Sequence, residues 1–137
     1  MTPEHEWMTA KFRGIKNIIS SYLTQVLPEF EISPITMYVL EFLRKHPDCI
    51  AVDIANEFGL TRGAITQLLD KMQEQGFIER KPHPTSRRSH LLQMTDKGTQ
   101  LINRILDAYN TKIEQLFTSY TKEELAQLQQ LLAKLPV

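Results

Sequence analysis

The chain has 137 residues and no formal net charge, with 42% of its residues hydrophobic and 23% charged. That length supports one substantial core, and that composition excludes wholesale disorder. A uniformly basic, unselective polyanion binder is excluded as well, which leaves at most a local basic face.

The N-terminal stretch MTPEHEWMTAKFRG carries charges and no continuous apolar run, unlike a secretory signal. From Met8 to Val26 the apolar residues Met8, Phe12, Ile15, Ile19, Tyr22 and Val26 step alternately by four and three. This is the seam of a helix that packs along another helix, and Pro28 closes it. Ser33 is a good N-cap and Pro34 occupies the first helical position, where the absent N–H costs nothing. The helix that follows shows Tyr38, Val39, Phe42 and Leu43 as its apolar face, and Pro47 ends it.

Cys49-Ile50-Ala51 is long enough for one brief strand, and Val52–Phe58 forms a short helix with Ile54, Ala55 and Phe58 inward. Gly59 stands in the usual position after a helix C-terminus. Thr61 caps the next helix, on which Ile65, Leu68, Leu69 and Met72 make one stripe, and Gly76 ends it. FIERKP and SHLLQMT are two short strands on either side of KPHPTSRRSHLL. Thr95 or Asp96 then starts a long helix with its stripe at Leu101, Ile102, Ile105, Tyr109, Ile113, Leu116 and Tyr120. Thr121 to Glu124 is a capping box for a last helix carrying Leu125, Leu128, Leu132 and Leu135. No run approaches the 18 apolar residues of a membrane span, and a soluble cytoplasmic protein is expected.

Function concentrates in the middle. Between Gly59 and His90 six Lys or Arg face three acids, a local surplus of three. The two helices joined through Phe58-Gly59-Leu60-Thr61 form a helix-turn-helix, a motif whose second helix enters the DNA major groove. With the stripe turned inward, Arg62, Gly63, Thr66, Gln67 and Asp70 lie on the outer side of that helix. Arg suits guanine and Gln suits adenine, while Gly63 and Ala64 are small enough for close backbone approach. Lys71 is placed for a phosphate. Asp70 would be repelled by phosphate and is expected to brace a wing arginine instead. A polar outer face alone is what any surface helix shows. The ribbon is the more telling feature, because two strands around Arg87 and Arg88 form a wing suited to the minor groove.

The segment ISPITMYVLEFLRKHP, continued by VDIANEFGLTRGAITQLLDKMQEQGFIERKPHPTSRRSHLLQMTDKGTQLI, resembles the winged helix of the MarR (multiple antibiotic resistance regulator) family. The match in order and spacing runs from Ser33 to Ile102, and LTRGAITQLLDKMQEQGFIER and RRSHLLQMTDKG are its most specific parts. The resemblance implies a mainly α fold with a small β-wing (α+β), a winged helix-turn-helix flanked by terminal dimerisation helices. It implies a single domain over 1–137, with the DNA-binding region at 33–95 and dimerisation helices at 3–27 and 96–135. It further implies a homodimer that binds a pseudo-palindromic operator in double-stranded DNA, acts as a repressor, and is released by a small aromatic effector. Trp7, Phe12, Tyr38 and Tyr109 are candidates for the effector cleft, and ordinary core is their alternative. Three departures stand out. Ser86 replaces the usual acid two residues before Arg88, Gln67 stands where arginine is common, and Ile50 replaces the usual Thr cap. The last is expected to loosen the helix start by about 1 kcal/mol.

Other readings have less support. Cys49 is the only cysteine, so no intrachain disulfide forms; a buried structural thiol is expected, with a redox-responsive regulator as the alternative. His46 and Cys49 have ligand-like spacing but no third ligand, so no metal and no cofactor are expected. His83 and His90 lie in the wing, where protonation would add charge near DNA. No phosphate loop, metal-binding His-Glu motif or set of nucleophile, base and orienter is present, so an enzyme is not expected. A winged helix used only for protein interaction is the remaining alternative, and it would not need arginines at the wing tip.

Overall fold

Thr2, Ser33, Thr61, Thr95 and Thr121 each accept a hydrogen bond from the backbone N–H three residues on, and each begins a helix. The computed structural model describes residues 1–137 and contains six α-helices and one two-stranded antiparallel sheet. In chain order they are α1 (Pro3–Val26), α2 (Pro34–Lys45), α3 (Ala51–Phe58), α4 (Arg62–Glu74), β1 (Ile78–Pro82), β2 (His90–Met94), α5 (Asp96–Glu114) and α6 (Lys122–Leu132). A 3-10 turn at Leu27–Phe30 follows α1, and a second at Gln115–Phe117 follows α5. No helix is long and apolar enough to cross a membrane.

The core gathers where α2, α4, the sheet and α5 meet. Val39, Leu40, Ile54, Met72, Ile102 and Ile105 have no exposed surface. β1 and β2 pair with Ile78 opposite Met94, Arg80 opposite Leu92 and Pro82 opposite His90. The other edge of β2 is bridged by Cys49, whose carbonyl accepts the Leu92 N–H at 2.8 Å. The brief strand expected at Cys49-Ile50-Ala51 is reduced to this one bridge, because Ala51 already begins α3.

Two further expectations need correction. The buried side of α2 is Thr36, Met37, Val39, Leu40 and Leu43, whereas Tyr38 is 39% exposed. α2 packs on both α5 and β2, so its buried arc is wider than one stripe and is rotated away from Tyr38. The long helix does not reach Tyr120; it ends at Glu114. The chain tightens into the 3-10 turn, the Thr118 hydroxyl donates to Gln115 O at 3.5 Å, and Tyr120 N–H donates to Phe117 O on the way into α6. At α3 the missing Thr cap is partly replaced, since Ile50 N–H donates to Asp53 Oδ2 at 2.9 Å.

The wing is locked to α5 at one crowded point. Thr95 N–H donates to Phe77 O at 3.0 Å, and the Thr95 hydroxyl both donates to Gly76 O and accepts the Gly98 N–H at 3.1 Å. A Cβ on Gly98 would stand 2.2 Å from Phe77 O and 2.8 Å from Met94 Cγ. Gly98→Ala is therefore expected to destabilise the fold by roughly 2–3 kcal/mol, read as a lower urea midpoint. An unchanged midpoint would contradict this packing.

Candidate nucleic-acid interface

The turn between α3 and α4 is built from one glycine and one cap. Gly59 adopts φ 64°, a left-handed conformation, and Leu60 N–H closes onto Ala55 O at 2.9 Å. Thr61 Oγ1 then accepts Ala64 N–H at 3.1 Å and starts α4. Ile65, Leu69 and Met72 are buried beneath it, and Leu68 is half-buried. Arg62, Gly63, Ala64, Thr66, Gln67, Asp70 and Lys71 are all exposed, so the sequence-predicted face of α4 is free. The Thr66 hydroxyl gives its proton to Arg62 O at 2.9 Å, which leaves its lone pairs and methyl group available outward.

The structure brings some of these residues together and separates others. Arg62 and Thr66 of α4 line one cleft with Arg80 of β1 and Arg88, two residues before β2. Arg87 lies outside that cleft, in a hollow at the wing tip. Gln67 and Lys71 stand on the open face of α4 and line neither space.

Asp70 is held by a wing-strand arginine. Its Oδ1 lies 2.8 Å from Arg80 Nη2, and Arg80 Nη1 donates to Gln73 Oε1 on the next turn of α4. This ties β1 to the outer side of α4 and pairs one of the two exposed acids there, Asp70, leaving Glu74 in solvent. An ion pair this exposed contributes little to stability, and with the Gln73 bond it joins the wing strand to the recognition-helix face. The sequence suggested the brace but not the partner, because nothing local links position 70 to position 80. Gln73 carried no signal at all.

The remaining candidates are placed as follows. Trp7, 58% exposed, lines an apolar groove with Ile15, Ile18, Leu116, Phe117 and Tyr120, between α1 and the end of α5. Phe12, Tyr38 and Tyr109 do not line that groove. Tyr38 stacks on Phe58, with ring centroids 6.5 Å apart. Burial, with Tyr38 and Glu41 nearby, raises the Tyr109 hydroxyl pKa. Burial, aided by the Asp53 carboxylate, pushes the Cys49 thiol up to about 11, which suits a structural thiol and disfavours a reactive thiolate. The His46 ring lies tilted against Phe42, centroids 4.3 Å apart, and no three His, Cys, Asp or Glu side chains gather into a metal-binding group.

These elements define a winged helix-turn-helix protein. A family model described as MarR family matches residues 30–89, the stretch from the approach to α2 as far as the wing arginines. Among curated relatives, the chain is 27% identical to the HTH-type transcriptional regulator MhqR of Bacillus subtilis over 116 residues, covering 85% of this chain and 80% of that one. It is 27% identical to the HTH-type transcriptional regulator PecS of Dickeya dadantii over 120 residues, covering 85% of this chain and 72% of that one. Among solved structures, a MarR family protein from Bacillus stearothermophilus superposes with a TM-score of 0.87 at 19% identity, covering 98% of this chain and 94% of that one. A mutant of MarR from E. coli, complexed with operator DNA, superposes with a TM-score of 0.70 at 23% identity, covering 98% and 96%. Residues 30–89 match the MarR family, and the curated relatives that align with most of this chain are helix-turn-helix transcriptional regulators.

One residue on the interface separates folding from function. A Cβ on Gly63 meets nothing within 4 Å, and its backbone is ordinary helix. Gly63→Ala is expected to raise stability by about 0.5 kcal/mol in denaturant unfolding, since glycine weakens a helix. A loss of stability would show that this glycine serves the fold instead.

Proposed function

We propose that this regulator binds a pseudo-palindromic operator as a homodimer and represses transcription in the cytoplasm until a small aromatic ligand releases it. The convergence of Arg62 and Thr66 from α4 with Arg88 from the wing on one cleft carries this reading. A major-groove helix and a minor-groove wing need that arrangement, and Arg80 joins the wing strand to Asp70 of the helix. Arg62, Thr66 and Gln67 contact bases, Gly63 and Ala64 allow close approach, Lys71 meets phosphate, and Arg87 and Arg88 serve the wing. A winged helix used only for protein interaction would gain nothing from this placement of arginines.

The dimer is supported by what the terminal helices leave uncovered. On α1, Trp7, Met8, Phe12, Ile15 and Ile18 are exposed, and α6 buries no residue while carrying Leu125, Leu131 and Leu132 in water. A twofold partner over 3–27 and 96–135 would bury these faces and hold two recognition helices at one separation. Tyr38 and Tyr109 lie at the joint between α2 and α5, the place where an aromatic ligand would alter that separation. Trp7 and Phe12 lie on the α1 face and are assigned to the dimer contact instead.

Binding should be measured against a duplex carrying the protein's own promoter region, in a salt series. Arg88→Ala is expected to weaken binding to every sequence by about ten-fold and to reduce the salt slope by roughly one per wing. Gln67→Ala is expected to reorder the preferred sequences, by about 1–3 kcal/mol at the affected base pair. Gly63→Ala should bind several-fold more weakly while folding at least as well. Unchanged affinity and slope for Arg88→Ala would overturn the wing assignment.

A further inference from the structure

The chain passes from β1 to its two wing arginines through a turn with little backbone support. No backbone–backbone hydrogen bond outside the helices and strands involves residues 83–89. Two side chains take over that task. His83 Nδ1 accepts the backbone N–H groups of Thr85 and Ser86, each at 3.1 Å, and the Thr85 hydroxyl lies 3.4 Å from the same atom. Ser86 Oγ in turn accepts the Arg88 N–H at 3.3 Å.

An amide N–H can only donate, so Nδ1 must carry the lone pair and the proton must sit on Nε2. The imidazole therefore does what an Asp or Asn side chain does in an Asx turn, with one difference. Protonation converts both ring nitrogens into donors, and the two amides lose their acceptor. Histidine is the side chain whose charge changes nearest neutral pH.

We propose that His83 is the positioning residue of the wing: neutral, it shapes the tip that presents Arg87 and Arg88 to DNA, and protonated, it releases them. This rests on the DNA-binding reading above. The charged and titratable side chains sharing its hollow are Arg87 and His90, and wing residues alone line that hollow. Lys81, next along β1, is paired with Glu79 at 2.9 Å. Charge considered alone gives the opposite sign, because an imidazolium attracts phosphate. That gain is one screened surface charge. The loss is the placement of two arginines in each wing, so binding weakens on acidification.

His83→Asn keeps an acceptor oxygen for the same amides and cannot titrate, whereas His83→Ala removes the acceptor. Amide NMR of the full chain from pH 8 to pH 5.5 is expected to show Thr85 and Ser86 moving with the His83 ring in wild type and staying fixed in His83→Asn. On the promoter duplex at constant ionic strength, His83→Asn should match wild type at pH 8 and bind about ten-fold more tightly than wild type at pH 5.5. His83→Ala should bind weakly at both. Thr85 and Ser86 amides indifferent to the ring would overturn the proposal, and so would a wild-type to His83→Asn affinity ratio that does not change with pH. If no protein binds duplex at pH 8 and low salt, the regulator reading fails, while the amide titration still decides whether His83 holds the tip.

Discussion

Apolar surface that a single chain leaves in water constrains everything else about this molecule. The core gathers at α2, α4, the sheet and α5, yet α1 and α6 contribute little to it: α1 buries only Leu23 and Val26, and α6 none of its residues. Burying apolar area is the dominant favourable contribution to folding and association, at about 25 cal/mol per Å². A seam running from Trp7 to Ile18, matched by leucines on α6, is therefore costly unless something covers it. In the proposed dimer the same contact that covers the seam also fixes the distance between two recognition helices. Stability and site spacing then have one physical origin.

Within the chain a second constraint places the wing beside the recognition helix. Gly98 lets α5 pass against Phe77 and Met94, so the strands leave the core in one direction. Arg80 then draws β1 onto Asp70 and Gln73 of α4. The base of the wing is packed against α5 and bonded to α4, while the tip is held by bonds to His83 and Ser86.

Most of the architecture was legible because its signals are local. Hydroxyl caps at Ser33, Thr61, Thr95 and Thr121, and the Gly59 turn, each act within four residues, and each stands where the sequence places it. The α2 face was misread because its burial depends on two distant neighbours at once, which no period on one helix reveals. The end of α5 was missed because the apolar stripe continues past Glu114 although the backbone does not. At the interface, the exposed face of α4 followed directly from the buried stripe. The Arg80 tie and the cleft shared by Arg62 and Arg88 depend on strand register, and the His83 bonds on a turn conformation, neither of which is written in residue spacing.

Sedimentation equilibrium tests the central claim, that two readers are held together by the terminal helices, most directly. The account predicts one folded species of about twice the 15.9 kDa chain mass, with no folded monomer at micromolar concentration. A folded species at 15.9 kDa throughout that range would contradict it.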